Sequence, residues 1–185
     1  MSDTLHIIAY LAAISHIMRI DQPINRQKDN CTMLDLDEVD WLILRTLQAD
    51  GSLSVTEVAE RVGLSQSPCS RRIAQLQKRG FIQGRRVILD ARKLGFNTMV
   101  IVRIKLHAHE KKVLDQFQTA VRAIPEIQIA LLVLGDFDFY LRVVVRDIDH
   151  YQQLLQSKLV ALPGVREMQS SVILDVVKDT PALPI

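Results

Sequence analysis

Cysteine is scarce in this chain: there are two, Cys31 and Cys69. Neither has a partner at metal-ligand spacing, and two thiols make no disulfide framework, so neither a structural zinc nor a set of covalent staples is expected to hold the fold. A reducing cytoplasm fits such usage. A long uninterrupted apolar run is missing too. The longest apolar stretch, Leu5 to Ile20, is broken by His6, Ser15, His16 and Arg19. It is too short and interrupted to span a bilayer, and it lacks the basic start and small-residue cleavage site of a secretory signal. Catalytic constellations are equally thin. Asp136, Asp138, His107 and His109 are candidate acids or ligands. Nothing pairs with the two histidines at metal or triad spacing, so no enzyme, resident metal or cofactor is expected.

What is present is the composition of a soluble globular protein, 48% hydrophobic and 24% charged. The 185 residues suffice for two small domains. The formal net charge of +2 hides a strong asymmetry. From Arg61 to Lys93 there are nine Lys and Arg (Arg61, Arg71, Arg72, Lys78, Arg79, Arg85, Arg86, Arg92, Lys93) against one acid, Asp90. From Phe96 to Ile185 ten basic and ten acidic residues cancel. A basic segment beside a neutral half predicts one polyanion-binding unit and one unit with another task.

Residues 1 to 32 read differently from the rest. An apolar patch ends at Asp21-Gln22-Pro23, a polar run from Asn25 to Asn30 follows, and Met33 opens freshly patterned sequence. These residues are expected to be an upstream extension, disordered or due to a misassigned start, with an amphipathic docking helix as the alternative.

From Leu36 the pattern is helical, with Leu36, Val39, Ile43 and Leu47 on one stripe and Asp35, Asp37, Glu38 and Asp40 in the first turn, where carboxylates suit the helix dipole. Asp50-Gly51 stops this helix. Ser54 with Glu57 forms a capping-box pattern for a short second helix that Gly63 ends. Leu64 plugs the corner. Ser65 is expected to cap a third helix, with Pro68 in its first turn, running to about Arg79. Two short helices at a Gly-containing turn, the second bearing Arg, predict a helix-turn-helix. The Gly84-Arg85-Arg86 turn before Val87-Ile88-Leu89 predicts a short hairpin or wing, and Asp90 to Gly95 a linker.

On the third helix Cys69, Ile73 and Leu76 share the inward face, and Ser67, Arg71, Ala74, Gln75 and Lys78 lie opposite. Arg bonds guanine bidentately in the major groove and Gln reads adenine. Ser67, Arg71 and Gln75 are therefore expected at base edges, and Arg72, Lys78, Arg79, Arg85 and Arg86 at phosphates. Ser65, Gln66 and Ser70 complete the DNA-facing set. Cys69 is expected to be a packed small residue rather than a reactive thiol.

The second half alternates cleanly. Met99–Leu106 predicts a strand, His109–Ile124 an amphipathic helix, Ile127–Leu134 and Phe137–Arg146 two strands joined at Gly135-Asp136, Asp147–Ala161 a helix and Val165–Val177 a last strand. The order β-α-β-β-α-β is the ferredoxin-like arrangement, an α+β fold with two helices on one face of an antiparallel sheet. The other face must bury its apolar side chains, and a second subunit is the simplest cover.

Several segments resemble one family in collinear order from about Leu34 to the end. They are Leu36-Asp37-Glu38-Val39-Asp40, Ala59 to Ser65, Ser67-Pro68-Cys69-Ser70-Arg71-Arg72-Ile73, Gly80-Phe81-Ile82, Leu134-Gly135-Asp136-Phe137-Asp138-Phe139-Tyr140-Leu141, Leu162-Pro163-Gly164-Val165, and the tail from Val177 to Pro184. The family is that of the leucine-responsive and asparagine regulators (Lrp/AsnC, feast/famine). The resemblance implies a winged or near-winged helix-turn-helix domain (33–81), a wing or linker strand (82–95) and a ferredoxin-like effector and oligomerisation domain (96–185). It implies a transcription regulator that binds double-stranded DNA and responds to an amino acid or related metabolite, with a nucleoid-like architectural protein lacking an effector as the alternative. It also implies homodimers that assemble further, for example to octamers, and a place at the bacterial nucleoid. Carried over by residue, Leu134, Gly135, Asp136, Phe137 and Asp138 match the loop lining the effector cleft, with Asp138 as partner for a ligand ammonium. Ser170, Ser171 and Val172 fall where further pocket residues lie.

Overall fold

The computed structural model describes residues 36–185. The expected N-terminal extension lies outside the described residues. The chain divides into a helical unit reaching to Leu89 and joined by Lys178–Ile185, and a sheet unit, Asp90–Val177.

Among its described residues the helical unit has three helices: α1 Glu38–Ala49, α2 Val55–Arg61 and α3 Gln66–Lys78. Asp37 caps α1, its carboxylate accepting the Asp40 N–H at 2.8 Å. Ser54 and Glu57 form the reciprocal capping box of α2, each side chain meeting the other's backbone N–H. Such a cap satisfies donors that the first helical turn cannot, and a Ser cap contributes about 1 kcal/mol. Gly63, at φ +70°, turns the chain out of α2 in a conformation that a side chain would strain. Ser65 occupies the N-cap position of α3 but makes no side-chain capping bond. Ile43, Leu53, Val58, Ala59, Val62, Cys69, Ile73 and Leu76 form one buried core. Each fully buried aliphatic side chain among them contributes about 1.5–3 kcal/mol.

No wing strand forms. Residues 82–90 carry no regular structure, and Val87 and Ile88 are 85% and 86% exposed. Their β-branched side chains favour extended backbone, but a strand needs a neighbour to take its N–H and C=O groups.

The sheet unit has four antiparallel strands, β1 Thr98–Leu106, β2 Ile127–Leu132, β3 Phe139–Val145 and β4 Val165–Val172, in the order β2-β3-β1-β4. Two helices cover one face: α4 Lys111–Arg122, and α5 Ile148–Leu154 continued by a π-helical turn, Leu155–Leu159. The strict alternation in β1 sends Val100, Val102, Ile104 and Leu106 under the helices, where Leu114, Phe117, Val121, Tyr151 and Leu154 meet them. This is the ferredoxin-like arrangement. Met99, Ile101, Arg103 and Lys105 take the opposite, open face and are only half-buried.

Two boundaries differ from the sequence reading. β4 stops at Val172, five residues short of the expected Val177: Val172 pairs with Val100, Ile173 donates to the Met99 carbonyl, and residues 173–176 carry no regular structure. The β2–β3 connection is not a two-residue turn at Gly135-Asp136 but a loop of six residues, 133–138, closed by the Val133 N–H on the Asp138 carbonyl at 2.9 Å.

Candidate DNA-reading helix and effector loop

α3 exposes the face that its wheel predicts. Ser67, Ser70, Arg71, Ala74, Gln75 and Lys78 are exposed, while Cys69, Ile73 and Leu76 are buried. Burial pushes the Cys69 thiol up, which removes thiolate character and leaves it a packing residue. Ser65 and Gln66 stand exposed at the start of the helix.

The arginines divide into different roles. Arg72, expected at phosphates, is committed inside the unit instead. Its Nη1 lies 2.7 Å from Asp37 and 2.8 Å from Asp40, and it braces α3 against the start of α1. The bonds to Asp40 and Asp37 raise the Arg72 guanidinium above its ordinary value. The Asp40 N–H, followed by Arg72, holds the Asp37 carboxyl below the usual range. Arg85 Nη1 donates to the Leu53 carbonyl at 3.1 Å, tying the post-helical segment to the α1–α2 corner. Arg79 lies over the Phe81 ring at 4.9 Å. Arg71, Lys78 and Arg86 extend from exposed positions. Sequence reasoning missed the Arg72 brace because its signal, acids in the first turn of a different helix, was already explained by the helix dipole.

In the sheet unit the loop between β2 and β3 presents Leu134, Gly135 and Asp136 to solvent, and the Arg103 guanidinium lies 5.2 Å over the half-buried Phe137 ring. Asp138, expected to meet a ligand ammonium, is 3% exposed and serves the loop instead. One carboxylate oxygen accepts the Leu106 N–H at 2.7 Å, the other meets His109 Nε2 at 2.8 Å, and the Asp138 N–H donates to the Ile104 carbonyl. The residue thus fastens the loop's end to the end of β1. Each of its carboxylate oxygens meets a protein group, as a buried carboxylate requires.

Ser170, Ser171 and Val172 do not converge. They pair with Val102, Ile101 and Val100, so Ser171 lies on the open face and the other two on the helix side. Ser170 is hydrogen-bonded to the Tyr151 hydroxyl, and burial raises the pKa of that phenol. A cavity of about 210 Å³ lies between α4 and the sheet, lined by Phe117, Gln118, Val121, Arg122, Ala130, Leu132 and Phe139. None of the expected effector residues lines it. Two residues that sequence reasoning did not assign to the loop, Arg103 and His109, hold its shape. Their only signal was polar chemistry, Arg103 on the open face of β1 and His109 just beyond the strand. Among the described residues no group of His, Cys, Asp and Glu could hold a metal ion, and no helix is long and apolar enough to cross a membrane.

Comparison with known proteins agrees with both units. Residues 36–83 match the winged helix-turn-helix DNA-binding model, and residues 99–183 match the Lrp/AsnC ligand binding domain. The leucine-responsive regulatory protein of Escherichia coli K12 is 42% identical over 151 residues, covering 82% of this chain and 92% of that protein. The protein of the same name from Klebsiella pneumoniae is 41% identical over the same span. Among solved structures, a transcriptional regulator from Neisseria meningitidis, crystallised as an L-Met complex, matches with a TM-score of 0.77 and 31% identity, over 80% of this chain and 96% of that one. An AsnC family transcriptional regulator from Agrobacterium tumefaciens gives 0.76 and 35%, over 80% and 97%. Collinear matches across both units, at this identity and coverage, place the chain in the Lrp/AsnC family of DNA-binding transcription regulators.

Proposed function

We propose that the helical unit reads duplex DNA with the exposed face of α3 while the sheet unit pairs subunits and takes an amino acid at the β2–β3 loop. The observation that carries this reading is the division of labour on α3. Arg72 is held internally by two aspartates, which leaves Ser67, Arg71 and Gln75 presented together on an uncluttered outer face. That face suits the major groove, with Arg71 and Gln75 at base edges. Lys78, Arg79 and Arg86, with Ser65, Gln66 and Ser70 at the helix start, meet backbone phosphates. Arg85 positions the segment.

In the sheet unit the ligand contacts fall to Leu134, Gly135, Asp136 and Phe137, with Asp138 setting the loop's shape rather than touching the ligand. The choice of an amino acid rests on the relatives, which include leucine-responsive regulators and a protein crystallised with L-Met. Met99, Ile101, Leu131 and Tyr140 give the open sheet face its apolar content, and a second copy covering it makes a homodimer, the unit of a larger assembly such as an octamer. Two α3 helices then meet two half-sites, and a ligand that favours one arrangement shifts their spacing. The homologues are regulators, and this reading gives the chain no catalytic role. It acts in the bacterial cytoplasm, on chromosomal DNA.

Thermal melting against the twenty amino acids tests the effector half. A ligand that binds only the native sheet unit raises its melting temperature with concentration, following RT ln(1 + [L]/Kd). No shift from any of them rejects an amino-acid sensor and leaves an architectural DNA-binding protein. Sedimentation of Ile101→Glu tests the dimer: a monomeric, folded variant supports the open face as the interface, and an unchanged assembly rejects it.

A further inference from the structure

The last eight residues return to the helical unit, so the chain passes between the two units twice, at Leu89–Asp90 and at Val177–Lys178. On that return the side-chain amide of Gln48, near the end of α1, meets both backbone groups of one tail residue. Gln48 Nε2 donates to the Leu183 carbonyl at 2.8 Å, and Gln48 Oε1 accepts the Leu183 N–H at 3.0 Å. A primary amide aligned this way imitates a neighbouring β-strand and reads extended backbone without regard to side chain. The two residues lie 135 positions apart, so nothing local in the chain forces the pairing. Upstream, the Ile173 N–H on the Met99 carbonyl holds the start of the tail to the sheet. The tail is therefore anchored at one end in each unit, with only irregular backbone between.

We propose that the surface of α1 around Gln48 is a docking site for the chain's own C-terminal segment, residues 178–185, and that this second tether restrains the DNA-reading unit. Because the tail is covalently attached, its effective concentration at Gln48 is high, so two exposed hydrogen bonds suffice where a free peptide would not bind measurably. A restrained helical unit loses less orientational freedom on meeting DNA, so the tether raises affinity without touching a phosphate. The proposal rests on the DNA-binding role of the helical unit and not on the effector reading.

The test compares the full chain with Gln48→Ala and with a chain ending at Thr180. Alanine suits an exposed helical position, so the first variant keeps α1 intact. In the native chain the Leu183 amide exchanges more slowly than in the free octapeptide. Gln48→Ala abolishes that protection, a loss of about tenfold for two neutral hydrogen bonds, while the amides of Ile43 to Leu47 keep theirs. Both variants weaken binding to a 200-base-pair random-sequence duplex (~3- to 10-fold) with an unchanged salt slope, and combining them adds nothing further. Free exchange at Leu183 in the native chain overturns the proposal. So do unaltered DNA affinity in the variants, additive losses, or a changed salt slope. Mixing the two variant chains restores neither property. Restoration would show that the tail docks on the partner subunit and would overturn the own-chain assignment.

Discussion

Three arginines, Arg71 and Arg72 on α3 and Arg86 in the irregular segment after it, stand in three different settings. Arg71 stands exposed on the outer face of α3, Arg72 is locked by Asp37 and Asp40, and Arg86 lies beyond the core. Arg71→Ala is expected to weaken a cognate operator far more than random DNA. Arg86→Ala weakens both about equally and flattens the salt dependence by about one ion. Band-shift titrations over salt separate them, and equal losses for Arg71→Ala on both duplexes remove it from base readout. Arg72→Ala lowers the melting temperature of the helical unit before it changes any salt slope, and a slope change at full stability would return Arg72 to the phosphates. Helical spacing told inward from outward on α3, because 3.6-residue periodicity maps directly onto burial. It did not reveal Arg72's partners, since an ion pair between residues 32 positions apart leaves no periodic trace. Asp138 was hidden in the same way: its bonds to Leu106 and His109 cross the sheet, and the sequence showed only an acid near a turn. Asp138→Ala leaves the buried Leu106 N–H unpaired and is expected to destabilise the sheet unit by about 1–3 kcal/mol, read by chemical denaturation.

Helices α1 and α2 begin on carboxylates, and that sets how they respond to acid. The Asp40 N–H holds Asp37 below its ordinary 3.8, and the Ser54 hydroxyl and N–H hold Glu57 below 4.5. A carboxyl depressed in the folded state stabilises above its unfolded pKa and loses that contribution as pH falls through the folded value. The helical unit is therefore expected to lose stability below about pH 4, and Asp37→Asn flattens the acid limb of a circular-dichroism titration. An unchanged limb would show that the cap is not coupled to folding. The junction between the π-helical turn and β4 depends on one residue. Gly164 sits at φ +77°, and a Cβ there would lie 2.5 Å from Val113 Cγ1. Gly164→Ala costs at least about 1–2 kcal/mol from the left-handed backbone alone, measurable as a lower unfolding midpoint of the sheet unit. Element order was legible because both periods, 3.6 and 2, are strong in this chain. The ends of β4 and of the expected wing were not, because a strand lasts only where a neighbour takes its N–H and C=O groups, which propensity does not encode.

At the scale of the whole molecule, the described residues form two separate cores, one of 8 buried residues and one of 16. Calorimetry is expected to resolve two transitions, with an amino-acid ligand raising that of the sheet unit. A single transition moved as a whole would show that the units unfold together. Charge asymmetry pointed to two parts, since the basic stretch from Arg61 to Lys93 runs out within a few residues of the start of the sheet unit at Asp90. The return of the tail was not readable, because Lys178–Ile185 follows a strand without any break in composition. That return changes what counts as a module. Exchanging sensors between two such regulators, in the laboratory or by recombination, cannot be done with one crossover. A cut at Leu89–Asp90 alone would pair a helical unit with a foreign tail. A working chimera needs a second junction at Val177–Lys178, so that each DNA-reading unit keeps the eight residues it evolved with.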